Sequence, residues 1–363
     1  MKLSLSGVKM IFDREHRTYG IAALILVAAL AIAFALSLNQ RVPYNELQRN
    51  LAEGNLDQVI AYGEDYVRAN PDDIKIKKLL ATAYLEKADL LTERSMWVRK
   101  SRIILTRVPD VTNDAEIMRL LGYGLMLIKN YDAAKVSFQR TATLEPKNAL
   151  VWANLGELSE TRGNFSEATS LYDKAISFDS SNDAAILGKI RIALRFARFE
   201  EASNLANEQI LKTENRRVKA ELFDAIGVAA LQRNRILEAT DSFKLALGLN
   251  ANLPQSLAGQ AVILLKAIPP NLNRDVVAKT SQPFALATKA HKIDPTYPYA
   301  LSALSDISLL RGNTSDAKKY ATLTIASLPL SPLSQAEKRV LSEKYTPRAS
   351  GTVAVKTSAS TQQ

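Results

Sequence analysis

The feature that most constrains this chain is a spacing. Ala134, Ala168 and Ala202 stand 34 residues apart, and so do Pro295 and Pro329. Self-similarity at a fixed period of this size marks a stacked repeat, in which each unit is too small to bury its own apolar face. The clearest unit is "NALVWANLGELSETRGNFSEATSLYDKAISFD", residues 148–179. In it Trp152, Leu155 and Leu158 step by three and form one face of a first helix. Gly163 and Asn164 then break the chain. Ala168, Leu171, Tyr172, Ala175 and Ile176 make the inward stripe of a second helix. Gly156 and Ala168 are small where the two helices cross, so the backbones can approach closely.

The pattern recurs. Ala239 and Ala317 take the role of Ala168, Gly122 and Gly227 that of Gly156, and Phe138 and Phe243 that of Tyr172. Pro71, Pro109 and Pro146 join Pro295 and Pro329 as stops at the ends of second helices. The W-x2-L-G run from Trp152 to Gly156 and the period of 34 resemble the tetratricopeptide repeat. The resemblance covers most of 40–331 and implies an all-α fold. The sequence divides into eight helix pairs: 40–73, 74–111, 115–148, 149–182, 183–219, 220–253, 254–297 and 298–331. The seventh carries an insertion, "AIPPNLNRDV" at 267–276, that forces a loop between its helices. Stacked, the pairs form a right-handed superhelix over 39–331. A last amphipathic helix over 332–346 caps it, with Ser334 as N-cap and Glu337 three residues on. Residues 347–363 are small and polar and read as a disordered tail.

The N-terminus has another character. Gly20 to Leu38 reads "GIAALILVAALAIAFALSL", with no charge and no proline. At about 1.5 Å per residue it spans about 28 Å, close to the ~30 Å hydrocarbon core of a bilayer. It is expected to be an uncleaved transmembrane helix. The rival is a cleaved signal, since Ala33-Phe34-Ala35 offers a small-x-small site. Lys2, Lys9, Arg14 and Arg17 precede the span, and only Arg41 and Arg49 follow closely. That bias expects segment 1–19 in the cytoplasm and the repeats beyond the membrane.

Chemistry is sparse. There is no cysteine, so disulfides, thiolate nucleophiles and cysteine metal sites are excluded. His16 and His291 cannot pair with each other, and the phosphate-loop, dinucleotide, zincin and nucleophile-elbow motifs do not occur. The reading is of a non-enzyme with no cofactor and no metal. The net charge of +10 lacks regularly interleaved aromatics, which argues against nucleic acid. Asn164-Phe165-Ser166 and Asn313-Thr314-Ser315 match the glycosylation pattern but fall where inter-helix turns already favour Asn.

The family resemblance implies that first helices line a concave groove. On that alignment Arg119, Tyr123 and Met126 face it in the third unit, Glu157 and Glu160 in the fourth, Arg191 in the fifth, and Glu221 and Asp224 in the sixth. Such a mixed surface suits a peptide or helix of a partner protein. The Lys and Asn clamp of chaperone-tail binders is not evident. The expected function is a membrane-anchored scaffold or adaptor. The chain looks like bacterial inner-membrane proteins with a periplasmic repeat domain, which implies envelope assembly or secretion. The alternative is a cytosol-facing receptor for precursor proteins at an organelle membrane. Residues 74–108 hold nine cations against three acids. Their stretch Arg99, Lys100 and Arg102 is a candidate face for anionic lipid, with Trp97 among the charges.

Overall fold

The computed structural model describes residues 44–90, 94–269 and 275–351. The expected span at 20–38 and the tail from 352 lie outside the described residues. Among the described residues no helix is long and apolar enough to cross a membrane. They form 17 α-helices and two 3-10 turns, with no strand. They belong to two compact units, one ending at Val111 and the other beginning at Thr112, where the sequence had suggested one array. The helical run is interrupted there by Pro109 and by Asp110, whose φ is 54°.

The first unit holds α1 (Tyr44–Ala52), α2 (Leu56–Ala69), α3 (Ile74–Leu90) and α4 (Arg94–Leu105). Leu47, Val59, Ile60, Leu79, Leu80 and Tyr84 make its core, and a half-buried Trp97 lies against them.

The second unit is a run of helix pairs. They are α5 (Ala115–Leu127) with α6 (Tyr131–Leu144), α7 (Ala149–Thr161) with α8 (Phe165–Phe178), and α9 (Asp183–Arg195) with α10 (Phe199–Ile210). Next come α11 (Arg216–Gln232) with α12 (Ile236–Leu249), α13 (Pro254–Lys266) with α14 (Val276–Ile293), and α15 (Pro298–Leu310) with α16 (Thr314–Ser327). A single helix, α17 (Gln335–Ser350), follows. It runs four residues past the end expected from sequence, through Pro347, and stops at Gly351 with φ 81°.

Local chemistry sets these boundaries. First helices start on side chains that accept otherwise unpaired N–H groups: Asp114 from Ile117, Asn148 from Leu150, Asn182 from Ala185 and Asn215 from Arg217 and Val218. The turn to the second helix needs one left-handed residue. Gly163 and Gly312 supply it without strain, whereas Lys129, Ala197 and Asn234 are held there at φ of 63°, 56° and 58°.

Packing explains the small residues. Tyr172 of α8 is fully buried, and its ring lies against two glycines. A Cβ on Gly156 would stand 2.7 Å from the ring, and one on Gly188 of α9 2.2 Å from it. Phe243 of α12 sits the same way between Gly227 of α11 and Gly259 of α13, at 2.5 and 2.4 Å. Gly122 meets Phe138 at 2.7 Å. One aromatic ring therefore joins its own first helix to that of the next pair, and neither contact leaves room for a methyl group. Ala168 and Ala239 are fully buried on the same second helices.

Candidate functional site

Successive first helices from α7 to α15 lie against one another, while successive second helices make at most marginal contact. The second unit therefore curves around its first helices, and their free face is the inner one.

On that face several polar side chains are tied to neighbouring helices. Arg191 of α9 reaches back to Glu160 of α7 with two bonds, Nε to Oε1 at 3.1 Å and a terminal nitrogen to Oε2 at 2.9 Å. The Tyr172 hydroxyl donates to the same carboxylate at 2.7 Å. Burial, reinforced by Glu160, pushes the Tyr172 phenol far up, so it stays a donor. Glu157 is half-buried nearby, and its field also acts on Tyr172 and Arg191. One pair further on, the Ser256 hydroxyl of α13 donates to Asp224 of α11. Burial pushes the Asp224 carboxyl up to about 7, helped by the charge of Glu221 and opposed by the Ser256 bond. Glu221 itself pairs with Arg217 at 3.3 Å. On α5, Arg119 is half-buried, and burial holds its guanidinium below the ordinary value against the pull of Glu116.

One expected groove residue lies elsewhere. Met126 is only 7% exposed and belongs to the core with Ala134, Phe138, Val151 and Leu155, where its apolar side chain is removed from water. Tyr123 is half-buried against that same cluster. Trp152 is not fully interior. It bridges two core clusters, its Nε1 donates to the Pro146 carbonyl at 2.8 Å, and Lys174 Nζ lies 3.3 Å above its ring.

The basic stretch of the first unit also divides. Arg99 and Arg102 are exposed. Lys100 turns inward, pairs with Glu64 of α2 at 2.9 Å and lies over the rings of Tyr84 and Trp97. Burial raises the Glu64 carboxyl, but hydrogen bonds from Lys100 and Tyr84 outweigh it and hold it below the usual range. Lys87 also lies over Trp97, 4.7 Å from the ring centre. Two of the three basic residues are thus left on one free surface.

The residues that the sequence missed sit at the C-terminal end. Helix α17 packs chiefly against α16, and its side chains reach Gln232 of α11 and Asp306 of α15. Glu337, 7% exposed, is the anchor. Its Oε1 accepts from Gln232 of α11 at 2.7 Å and from the Tyr299 hydroxyl of α15 at 2.9 Å. Its Oε2 accepts from the Ser334 backbone and hydroxyl at 2.8 and 2.7 Å. Further along, Tyr345 donates to Asp306 of α15 at 2.8 Å, and Lys344 and Arg348 pair with that carboxylate at 2.8 and 2.7 Å. Between α17 and the helices beneath it remains a cavity of about 560 Å³. The capping box at Ser334 was visible as a motif, but its second use, as a hook on Gln232, has no local signature.

The stacked pairs and their free inner face make a tetratricopeptide-like helical-repeat fold. No protein-family model matches the chain. A curated relative is the type IV pilus assembly protein PilF of Pseudomonas aeruginosa, 29% identical over 160 residues. Those residues are 43% of this chain, and the chain spans 61% of the length of that relative. A solved structure of Pseudomonas aeruginosa pilF aligns with 65% of this chain and 98% of its own, at 22% identity and a TM-score of 0.48. The crystal structure of the APC/C hetero-tetramer Cut9–Hcn1 superposes with a TM-score of 0.62, covering 83% of this chain and 54% of its own at 13% identity. That likeness concerns the fold alone.

Proposed function

We propose that this chain is a non-enzymatic scaffold, anchored in a membrane by residues 20–38, that holds a segment of a partner protein along the inner face of its second unit. The observation that carries the reading is the pairing of Glu160 with Arg191 across α7 and α9. Such bonds fix neighbouring repeats in register and neutralise the inner face, which suits a surface that docks a peptide better than one that does chemistry. The likeness to PilF supports a place in pilus assembly. The cations ahead of residue 20 support a cytoplasmic N-terminus and repeats in the periplasm. Arg99 and Arg102 leave a small basic surface that would meet anionic lipid.

The test is crosslinking in cells, detergent extraction of the full chain and identification of what is bound. Envelope proteins are the expected result, and recovery of no protein ends the scaffold reading. The anchor is checked by whether the chain stays with membranes after a carbonate wash. A reporter active only outside the cytoplasm, fused at the C-terminus, should work. Activity of a cytoplasm-only reporter there would favour a cytosol-facing receptor instead.

A further inference from the structure

We infer that the cavity beneath α17 is a partner site of its own, and that it takes an apolar side chain from a partner segment carrying neighbouring acidic residues. The inference rests on the scaffold reading and moves its main contact from the third to sixth repeats to the last ones.

The cavity is built rather than left over. Its apolar walls come from Leu231 of α11, Val262 and Leu265 of α13 and Leu309 of α15, and Val340 lines it from α17. Val340 is 62% exposed, so the wall is wet at the mouth. The hollow, of about 560 Å³, is half open to solvent. Here the roof is pinned at both ends, by Glu337 on Gln232 and Tyr299 and by Tyr345 and Arg348 on Asp306. Preformed apolar space with fixed walls loses little freedom when it is filled, which is what a side-chain anchor site requires.

Charge selects the occupant. The lining contains three cations, Lys266, Lys344 and Arg348, and one acid, Asp306. That acid is already shared by Lys344, Arg348 and the Tyr345 hydroxyl. Lys266 is exposed and has no acidic partner among the described residues. Arg348 Nε is buried without an acceptor. Lys266 therefore leaves unpaired positive charge at the rim of an apolar hollow, and the single acid Asp306 is shared by two cations. A segment with Leu, Ile or Phe beside Asp or Glu matches both features, while a basic or wholly polar segment matches neither.

The experiment uses the full chain in detergent micelles and fluorescent peptides with a central Leu or Phe flanked by Asp and Glu. Control peptides carry Lys for the acids, or Ser for the apolar residue. The acidic apolar peptide should bind best and weaken as salt rises. Val340→Trp, which fills the mouth from an exposed position, and Lys266→Glu, which reverses the free rim charge, should each weaken it by about tenfold or more, the loss expected for one anchor or one charge contact. Circular dichroism confirms that both variants keep the wild-type fold. Equal binding of acidic and basic peptides, unchanged binding by Val340→Trp, or saturation by lauric acid with no peptide bound overturns the inference. Partners crosslinked in cells separate the two readings. If Val340→Trp keeps every wild-type partner, the cavity is not the site and the scaffold reading stands. If wild type itself captures no protein, the scaffold reading fails.

Discussion

The two ends of the inner face solve the same problem differently. At α7 to α9 Arg191 answers Glu160 of the neighbouring repeat, and the surface stays open. At α15 the acid Asp306, which stands at the place of Glu157 in its repeat, is answered by α17, whose side chains reach the face and leave a half-open cavity beside it. A repeat array can thus tie its register either within itself or through one appended helix. The second solution covers part of the surface and leaves a half-open hollow beside the added helix.

The frame common to both ends is the place to expect the largest effect. Gly188→Leu drives a side chain into the Tyr172 ring from α9 and should lower the stability of the chain by about 3 kcal/mol in denaturant titration. Gly156→Leu should do the same from α7. Wild-type stability in both would mean that the ring is not the joint between repeats.

Next comes the roofed end. Glu337→Ala strips acceptors from Gln232, Tyr299 and the start of α17, a loss of about 2 kcal/mol. Hydrogen exchange should speed up across 335–350 while α7 and α9 keep their protection. Uniform acceleration along the unit would erase the distinction between the two ends.

Asp224 lies between them and adds a pH dependence. Its folded-state carboxyl is raised to about 7, so the folded chain holds a proton that the unfolded chain releases earlier. The stability it contributes is present below the ordinary carboxylate range and is lost as the pH rises through 7. Asp224→Asn keeps an acceptor for Ser256 but cannot ionise. Its unfolding free energy relative to wild type should be higher at pH 8 than at pH 5, by an amount on the order of 1 kcal/mol in denaturant titration. A constant difference at both pH values would mean that the carboxyl titrates normally.

Smaller changes sharpen the open end. Arg191→Ala should cost roughly 0.5–1 kcal/mol, because the arginine is partly exposed and Tyr172 still holds Glu160. High salt should shrink that difference. In the turn after α9, Ala197→Gly relieves a φ of 56° and should gain roughly 0.5 kcal/mol in thermal unfolding, with no change at α17.

Much of the frame is legible in the order of the residues. Trp152, Gly156, Gly163, Ala168 and Tyr172 carry their roles in local spacing, because a helix repeats its facing every three to four residues and a turn needs its special residue at one place. The helical ends at Asn148 and Ser334 are likewise written in side chains that cap their own neighbours. The candidate groove is less legible. Met126 and Lys100 have the spacing of free residues, yet one fills a core and the other finds Glu64, since spacing assigns a face without saying what covers it.

What the sequence determined by itself is the helix-pair repeat, the small residues at each crossing within a pair and the distinct apolar segment at 20–38. What only the tertiary structure decided lies between units. Gly188 and Gly259 are ordinary glycines in a helix until the ring of the preceding pair is laid against them. Glu337 is one of many surface-like glutamates until folding brings it to Gln232, 105 residues away in the chain. Local pattern is set by the geometry of one helix, whereas these contacts depend on the summed rotation and rise of every repeat between the partners, a quantity that no single stretch of sequence contains.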